Sequence, residues 1–276
     1  MDNFTSGNRD GSGSACRKEI GMSIYDKRKM GEILTGNDYQ GRGIVIGTTP
    51  DGKYAAIAYF IMGRSENSRN RVFSEEGDDV IIYPFDEEKV EDPSLIIYAP
   101  VRTLDNKLIV TNGDQTDTVR DFVKEGKSFK DALETRCFEP DGPNWTPRIS
   151  GMLTFGGEDG QSCACGAAPC NCGPFSYEMS ILKSVDEIGS DCARYTWSYP
   201  SVKGLGHFIH TYQENGNPLP TFQGEPRRVD IPDDPDEFLM DIWNNLNEDN
   251  RISIYVRYTD LETGEYEAAM INKNCD

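Results

Sequence analysis

Two apolar runs in the first quarter of the chain constrain its fold more than any other feature. Gly43–Thr48 and Tyr54–Met62 are apolar or β-branched, and Pro50-Asp51-Gly52 between them is typical of a tight turn. Short runs on either side of a turn predict a β-hairpin. Tyr54–Met62 is also the longest near-apolar stretch, about half of the roughly 20 residues that span a bilayer, so we expect no membrane association.

Further short strand-like segments follow the hairpin. In three places the apolar residues instead recur at the spacing of an α-helix. Thr116 or Asp117 is predicted to cap a first helix, Ser128 with Asp131 forms a capping box for a second, and Asp233-Asp234-Pro235 precedes a third. Strands therefore outnumber helices, which indicates an α+β fold in layers. The predicted strands after the hairpin are Val80–Tyr83, Leu95–Arg102, Lys107–Thr111, Arg148–Phe155, Tyr177–Lys183, Arg194–Tyr199, Phe208–Tyr212, Ile252–Thr259 and Tyr266–Ile271.

The charge of the chain restricts its partners. Of 276 residues, 28 are Lys or Arg and 47 are Asp or Glu, which gives a formal net charge of −19. Nucleic acids and anionic membranes usually need a basic surface, so we expect neither as a partner. We predict a disordered tail at 1–18 without the apolar core of a secretory signal, a single domain at 19–276, and a cytoplasmic location.

Half of the eight cysteines lie in a Cys-rich loop insertion at about 156–174. Four thiols within ten residues could form a tetrahedral zinc site, but the C-x-C spacing is tighter than usual and no histidine lies nearby. We therefore predict no metal, and keep a zinc-stabilised interaction module as an alternative. The four residues are Cys163, Cys165, Cys170 and Cys172.

Three arginines fall within eight residues directly after Tyr54–Met62. A guanidinium group presents a planar pair of donors to phosphate or carboxylate, so arginines clustered at a strand end can hold an anion. The alternative is a solvated loop in which they pair with Glu66, Glu75 and Glu76. The three are Arg64, Arg69 and Arg71.

Two other segments combine polar residues with fixed backbone. In 111–118 a strand, a tight turn and a helix start could receive an anion, although ordinary capping explains the same residues. In 138–148 the prolines restrict the loop that presents Glu139, Asp141 and Arg148, which could form an acid/base pair with an orienting cation. Taken alone, a Glu in a turn and an Arg at a strand start are more often structural.

The two histidines do not form an obvious catalytic pair. His207 and His210 are three apart on a predicted strand, so their side chains should point to opposite faces. Neither stands beside a recognisable nucleophile motif, and no phosphate-binding glycine motif follows a strand.

Taken together and in order over about residues 40–220, the motifs resemble archaeal-type inosine monophosphate (IMP) cyclohydrolases. The most distinctive block is Thr111-Asn112-Gly113, followed by Thr116-Asp117-Thr118. The other blocks are Gly41-Arg42-Gly43, Gly63-Arg64-Ser65, Asn70-Arg71, Thr146-Pro147-Arg148-Ile149 and Thr211-Tyr212.

This resemblance implies an enzyme of purine biosynthesis that closes 5-formamidoimidazole-4-carboxamide ribonucleotide (FAICAR) to IMP with loss of water. It also implies the four-layered αββα sandwich of the N-terminal-nucleophile hydrolases, and catalytic positions at Arg71, Tyr98 and Glu139. The substrate-binding candidates are Arg64, Arg69, Asn70, Arg102, Asn112, Gly113, Thr116, Asp117 and Arg148.

Such a cyclisation needs two groups held at attack distance, a stabilised oxyanion and a proton transfer, but no metal, redox centre or other cofactor. We expect Arg71 to hold the substrate or its oxyanion. Tyr98 would donate a hydrogen bond and relay a proton, and Glu139 would orient the amide or take its proton. The phosphate candidates are Arg64, Arg69, Arg102 and Arg148.

Simpler explanations exist for two of these residues. Tyr98 could be an ordinary strand residue, and Arg102 could pair with Asp105. The alternative function is a non-catalytic purine-nucleotide-binding protein on the same scaffold, and a homo-oligomer remains open. Because the chain as a whole repels a phosphorylated ligand, we expect its arginines to concentrate in a local basic pocket.

Overall fold

The computed structural model describes residues 23–89, 97–156 and 173–275. The strands in these ranges are β1 (Arg42–Thr48), β2 (Tyr54–Met62), β3 (Val72–Glu76), β4 (Asp79–Tyr83), β5 (Val101–Leu104), β6 (Lys107–Thr111), β7 (Arg148–Phe155), β8 (Phe175–Ser184), β9 (Cys192–Pro200), β10 (Gly206–His210), β11 (Arg227–Val229), β12 (Arg251–Asp260) and β13 (Tyr266–Asn272). The α-helices in the same ranges are α1 (Met30–Leu34), α2 (Glu66–Arg69), α3 (Gln115–Lys124), α4 (Phe129–Glu134) and α5 (Pro235–Asn245).

These strands form two antiparallel sheets. The first sheet has the order β11-β10-β1-β2-β12-β13, and the second has the order β3-β4-β5-β6-β7-β8-β9. Every strand of the second sheet pairs with its neighbour in sequence, so that sheet is a continuous meander. The first sheet is assembled from both ends of the described chain, since β1 and β2 lie between β10 and β12.

Side chains that alternate along each strand divide the apolar residues into layers. Ile44, Tyr59 and Ile149 belong to the cluster between the two sheets. Val45 points the other way, into a cluster that α1 and α5 form with the first sheet. The helices α3 and α4 cover the outer face of the second sheet, where Phe129 is buried. The predicted α+β class is therefore confirmed.

The predicted hairpin is present as β1 and β2. Thr48 pairs with Ala55 at the turn, and the N–H of Gly52 donates to the carbonyl of Thr49 over 2.9 Å. Gly52 has a φ of +78°, a conformation that favours glycine. The turn chemistry therefore sets the register that places Arg42 at the far end of the hairpin.

Two of the three predicted helix caps are confirmed. Ser128 and Asp131 form the capping box of α4, and the side chain of Asp234 accepts the N–H groups of Asp236 and Glu237 at the start of α5. The cap predicted at Thr116 or Asp117 is wrong.

The residue at the N-cap of α3 is Asp114, and Thr116 and Asp117 lie within the first turn. Asp114 makes no side-chain cap, because its carboxylate accepts hydrogen bonds from Arg136 and Arg148.

The second sheet differs from prediction in two strands. The strand expected over Leu95–Arg102 begins only at Val101, and residues 97–100 are irregular. The strand β3 was not predicted, and its residue Glu75 pairs with Val80 of β4. Phe73 of β3 is buried between the sheets. Its burial holds this otherwise charged segment against β4.

Some predictions lie outside the described residues, namely the tail at 1–18 and the centre of the Cys-rich loop. In the ranges that are described, no helix has both the length and the apolar character to cross a membrane.

Candidate active site

The candidate active site lies at the end of the two sheets where β1 and β7 begin, with Arg42 and Arg148 as their first residues. Arg71 arrives from the segment before β3, and Tyr98 from the segment before β5. Arg71 interacts electrostatically with Arg42, Tyr98 and Glu139, and Glu139 also interacts with Arg148. The structure thus brings together the three expected catalytic residues and one expected phosphate ligand.

Arg71 is buried, with 8% of its surface exposed. The preceding residue, Asn70, fixes the loop that delivers it: its Nδ2 donates to the carbonyl of Asp86 over 2.8 Å, and its Oδ1 accepts the N–H of Asp86 over 2.7 Å. Burial lowers the pKa of Arg71, and the neighbouring charge of Arg42 lowers it further, against the effect of Tyr98.

Tyr98 is joined to the first sheet by a second tyrosine. The hydroxyl oxygens of Tyr98 and Tyr59 are 3.2 Å apart, and Tyr59 is completely buried on β2. Burial raises the pKa of Tyr59 well above its ordinary value, with Tyr98 adding to this effect. The carbonyl of Tyr98 accepts the N–H of Ile82, so the irregular segment is tied to β4 through its backbone.

Glu139 lies on the loop between α4 and β7, and its N–H donates to the carbonyl of Thr146 over 2.9 Å. Asp141 accepts hydrogen bonds from the N–H and the hydroxyl of Thr146, which closes this loop on itself. Burial raises the pKa of Glu139, and the charges of Arg148 and Arg42 oppose the shift. A carboxyl group with a raised pKa beside cations is suited to proton transfer.

Arg148 is held by two neighbours and borders Gly113. Its Nη1 lies 2.7 Å from a carboxylate oxygen of Asp114 and 2.6 Å from Oε1 of Gln115. A Cβ atom at Gly113 would lie 2.4 Å from Nη1 of Arg148, 2.6 Å from Oε1 of Gln115 and 3.5 Å from Oε1 of Glu139. Only glycine therefore fits beside these side chains without displacing Arg148 or Gln115.

The other polar residues of the 111–118 block are used to build the turn. Asn112 Nδ2 donates to the carbonyl of Pro147 over 2.8 Å, and its Oδ1 accepts the N–H of Ile149 over 2.9 Å. The hydroxyl of Thr116 lies 2.6 Å from that of Thr111. The bonds of Asn112 attach the turn to the start of β7, and the threonine pair attaches α3 to the end of β6, so together they position Gly113 and Arg148.

Arg102 and Asp117, which were expected to bind substrate, lie on the outer face of the second sheet. Val101 points between the sheets, and the adjacent Arg102 points toward α3. Arg102 forms ion pairs with Asp79 at 2.7 Å and with Asp117 at 2.9 Å. The pairing that was considered with Asp105 is therefore replaced by these two.

The remaining arginines of the 64–71 cluster separate. Arg69 donates to the carbonyl of Gly63 over 3.0 Å and to Asn250 over 3.1 Å. Arg64 donates to Asn215 over 2.7 Å, and its guanidinium carbon lies 5.0 Å from the ring centre of Tyr39. Arg64 thus lies near the rim of the site, because Tyr39 also interacts with Arg42.

Sequence reasoning did not name Arg42 as a site residue. Its backbone N–H donates to Oγ1 of Thr211 over 3.1 Å, and its Nη1 donates to the carbonyl of Met62 over the same distance. The preceding Gly41 has a φ of +78°, and a Cβ there would lie 2.2 Å from Oγ1 of Thr211. The Gly41-Arg42-Gly43 motif was the available signal.

Tyr59 and Tyr212 were also missed. Tyr212 stacks on Tyr39 with ring centres 5.9 Å apart, and its hydroxyl oxygen is 2.6 Å from that of Thr146. Thr146 and Tyr212 appeared in the quoted motifs, whereas Tyr59 lies within an apolar strand and gave no such signal.

The two histidines point to different layers, as predicted. Nδ1 of His207 is 2.6 Å from the hydroxyl of Tyr177, between the sheets, and His210 stacks on Phe208 of the outer cluster. Cys163, Cys165, Cys170 and Cys172 lie outside the described residues. Within the described ranges, no group of three or more potential ligands could hold a metal ion.

Comparison with known sequences agrees with this arrangement. The profile of the family described as IMP cyclohydrolase-like protein matches residues 39–264. This range contains all the residues of the candidate active site and most of the chain. The chain therefore belongs to the IMP cyclohydrolase-like family.

Curated archaeal relatives share part of the sequence. The IMP cyclohydrolase of Methanosphaera stadtmanae is 35% identical over 124 residues, which cover 44% of this chain and 60% of the relative. The IMP cyclohydrolase of Methanopyrus kandleri is 34% identical over 122 residues, or 43% of this chain and 59% of the relative. The chain thus spans about three-fifths of the length of the curated relatives it matches.

Proposed function

We propose that the protein is an IMP cyclohydrolase that closes FAICAR to IMP in purine biosynthesis. The observation that carries this proposal is the convergence of Arg71, Tyr98 and Glu139 from three separate segments. Family membership and the names of the archaeal relatives support the same activity. We also propose that the fold is the αββα sandwich of the N-terminal-nucleophile hydrolases. A cytoplasmic location is part of the same proposal.

In the proposed reaction, the carboxamide nitrogen attacks the formyl carbon. A C–N bond forms, the carbonyl electron pair moves to oxygen, and that oxygen later leaves as water with one proton from each of the two nitrogens. Glu139 takes the proton from the attacking nitrogen, for which its raised pKa suits it. Tyr98 donates to the oxygen and returns a proton to it, while Arg71 stabilises its negative charge.

The substrate phosphate is assigned to the basic rim of the site. Arg148 lies beside Gly113 at the helix start, and Arg64 lies beside Tyr39. We retain Asn70, Asn112 and Thr116 as residues that shape the site. Arg102 and Asp117 are the weakest of the proposed substrate contacts, because they lie on the outer face of the second sheet. Arg69 is the next weakest, since it donates to Gly63 and Asn250, which are not residues of the site.

The direct test is to incubate the purified chain with FAICAR and to follow IMP by absorbance and chromatography. We expect turnover in the wild type and a loss of at least about 100-fold in kcat for Arg71→Ala and for Tyr98→Phe. Activity that survives both substitutions together would contradict the site assignment. Binding of IMP by calorimetry without any turnover would instead indicate a nucleotide-binding protein that lacks the activity.

A further inference from the structure

We infer that Arg42 is a further catalytic residue, which with Arg71 forms a pair of guanidinium groups that stabilises the oxyanion of the ring-closing step. The inference rests on the proposed function and deepens it. Its first support is position, since Arg42 begins β1 on the inner face of the first sheet, two residues before Ile44 of the layer between the sheets.

The second support is the set of groups that surround Arg42. Its electrostatic partners are Tyr39, Tyr98, Tyr59 and Glu139, and it is the strongest charged neighbour of Arg71. Burial would lower the pKa of Arg42, but these partners raise it, so the guanidinium stays charged. Arg42 therefore faces the same two groups, Tyr98 and Glu139, between which the proposed reaction moves its proton.

The third support is rigidity. The hydrogen bond from Nη1 to the carbonyl of Met62 holds the guanidinium, and the bond from the backbone N–H to Thr211 holds the start of the strand. The close approach of Gly41 to Thr211 fixes the chain on the other side. Donors that are already oriented lower a barrier most, because they do not reorganise as charge develops.

Charge balance favours the oxyanion over the substrate phosphate as the group that this pair receives. Two cations held close together repel each other and favour a negative charge beside them. Arg148 and Arg64 are the residues assigned to the phosphate. The charge left for this pair to receive is the one that forms on the oxygen as the C–N bond forms.

The test compares Arg42→Gln with wild type on FAICAR and on its analogue without the 5′-phosphate. We expect kcat to fall by about 100-fold or more, as for other single oxyanion donors. The KM for FAICAR and the dissociation constant of IMP should change by less than about threefold, and kcat on the phosphate-free analogue should fall by the same factor.

Arg257→Gln is the matched control. Arg257 is a buried arginine of the same sheet, and it lies toward the end of β12, away from the end of the sheet that carries Arg42. It should keep kcat within about twofold of wild type. Thermal midpoints are measured for both variants. Where Arg42→Gln is unfolded at the assay temperature, Arg42→Lys replaces it, since a single ammonium keeps the charge without the planar fork; kcat should then fall with KM unchanged.

Three results would overturn the inference. Unchanged kcat in Arg42→Gln, with an active wild type, would make Arg42 structural and leave the proposed function standing. A loss confined to KM, IMP affinity and the phosphorylated substrate would make Arg42 a phosphate ligand. An inactive wild type would refute the proposed function, and the oxyanion role with it.

Discussion

The hydroxyl groups of Tyr59 and Tyr98, 3.2 Å apart, form a hydrogen bond between the two sheets. Tyr59 belongs to β2 of the first sheet, whereas Tyr98 precedes β5 of the second. Because Tyr59 is completely buried, its hydroxyl must find its hydrogen-bond partner within the protein and not in bulk water. When Tyr59 donates to Tyr98, the proton of Tyr98 remains available for the donor role proposed above, and the bond orients its hydroxyl.

Substitution of Tyr59 by Phe should therefore reduce kcat while the fold is retained. Loss of one neutral hydrogen bond of about 1 kcal/mol corresponds to roughly a fivefold decrease. Steady-state kinetics and a thermal melt measure the two effects. Tyr255→Phe is the control, since Tyr255 pairs with Tyr59 on the adjacent strand β12 and should leave kcat within about twofold. Equal losses in both variants would show a general packing effect.

Removal of the Arg148 charge should move the pH dependence of the reaction. Burial raises the pKa of Glu139, and Arg148 is the strongest group that opposes the increase. The Arg148→Gln variant should therefore raise this pKa further. If Glu139 must be ionised to take a proton, the acidic limb of the kcat/KM profile will move to higher pH.

The control for this shift is Arg136→Gln. Arg136 also binds the carboxylate of Asp114, but it is not among the strongest charged neighbours of Glu139. The acidic limb should stay in place in this variant. An acidic limb that moves to lower pH in Arg148→Gln would mean that Glu139 does not act as the base.

Gly113→Ala should impair activity through Arg148. The new Cβ would lie 2.4 Å from Nη1 of Arg148 and 2.6 Å from Oε1 of Gln115, which accepts a hydrogen bond from that Nη1. Both atoms end flexible side chains, so the guanidinium and its partner shift and the backbone does not. We expect kcat/KM to fall by about tenfold, since small misplacements of a site residue are costly. In an Arg148→Gln background the same substitution should cost much less, and a full additional loss would exclude this explanation.

The turns and helix caps that depend only on residues close together in the sequence were predicted correctly. The turn at Gly52 and the caps at Ser128 and Asp234 follow from side chains within three residues of each other. The cap at the start of α3 was misplaced because Asp114 is occupied by Arg136 and Arg148, which lie 22 and 34 positions along the chain. No local pattern contains that information.

The site was predictable as far as the motifs reached. The family resemblance supplied Arg71, Tyr98 and Glu139, and the structure brings them together. The resemblance could not show that Arg102 points away from the site, because the direction of its side chain depends on which side of β5 faces α3. Nor could it indicate Tyr59, since a hydroxyl in an apolar strand acquires its role only when the second sheet covers it.

The two buried histidines should make the fold less stable in acid. Burial lowers the pKa of His207 to about 4 and that of His210 to about 3. Both are neutral in the folded protein near pH 5, whereas in the unfolded chain they take up protons below about pH 6.5. Stability from this source is therefore complete above pH 6.5 and decreases as the pH falls toward 4, by about 1.4 kcal/mol per pH unit for each histidine.

Urea unfolding between pH 7 and pH 4.5 would measure this slope. His210→Gln should reduce it by about 1.4 kcal/mol per pH unit, because the proton-binding difference of one histidine is removed. The raised pKa values of Glu139 and Glu178 act in the opposite direction, as folded protein then binds protons more readily than unfolded chain, but they are common to both proteins. An unchanged slope in His210→Gln would show that His210 is protonated without unfolding.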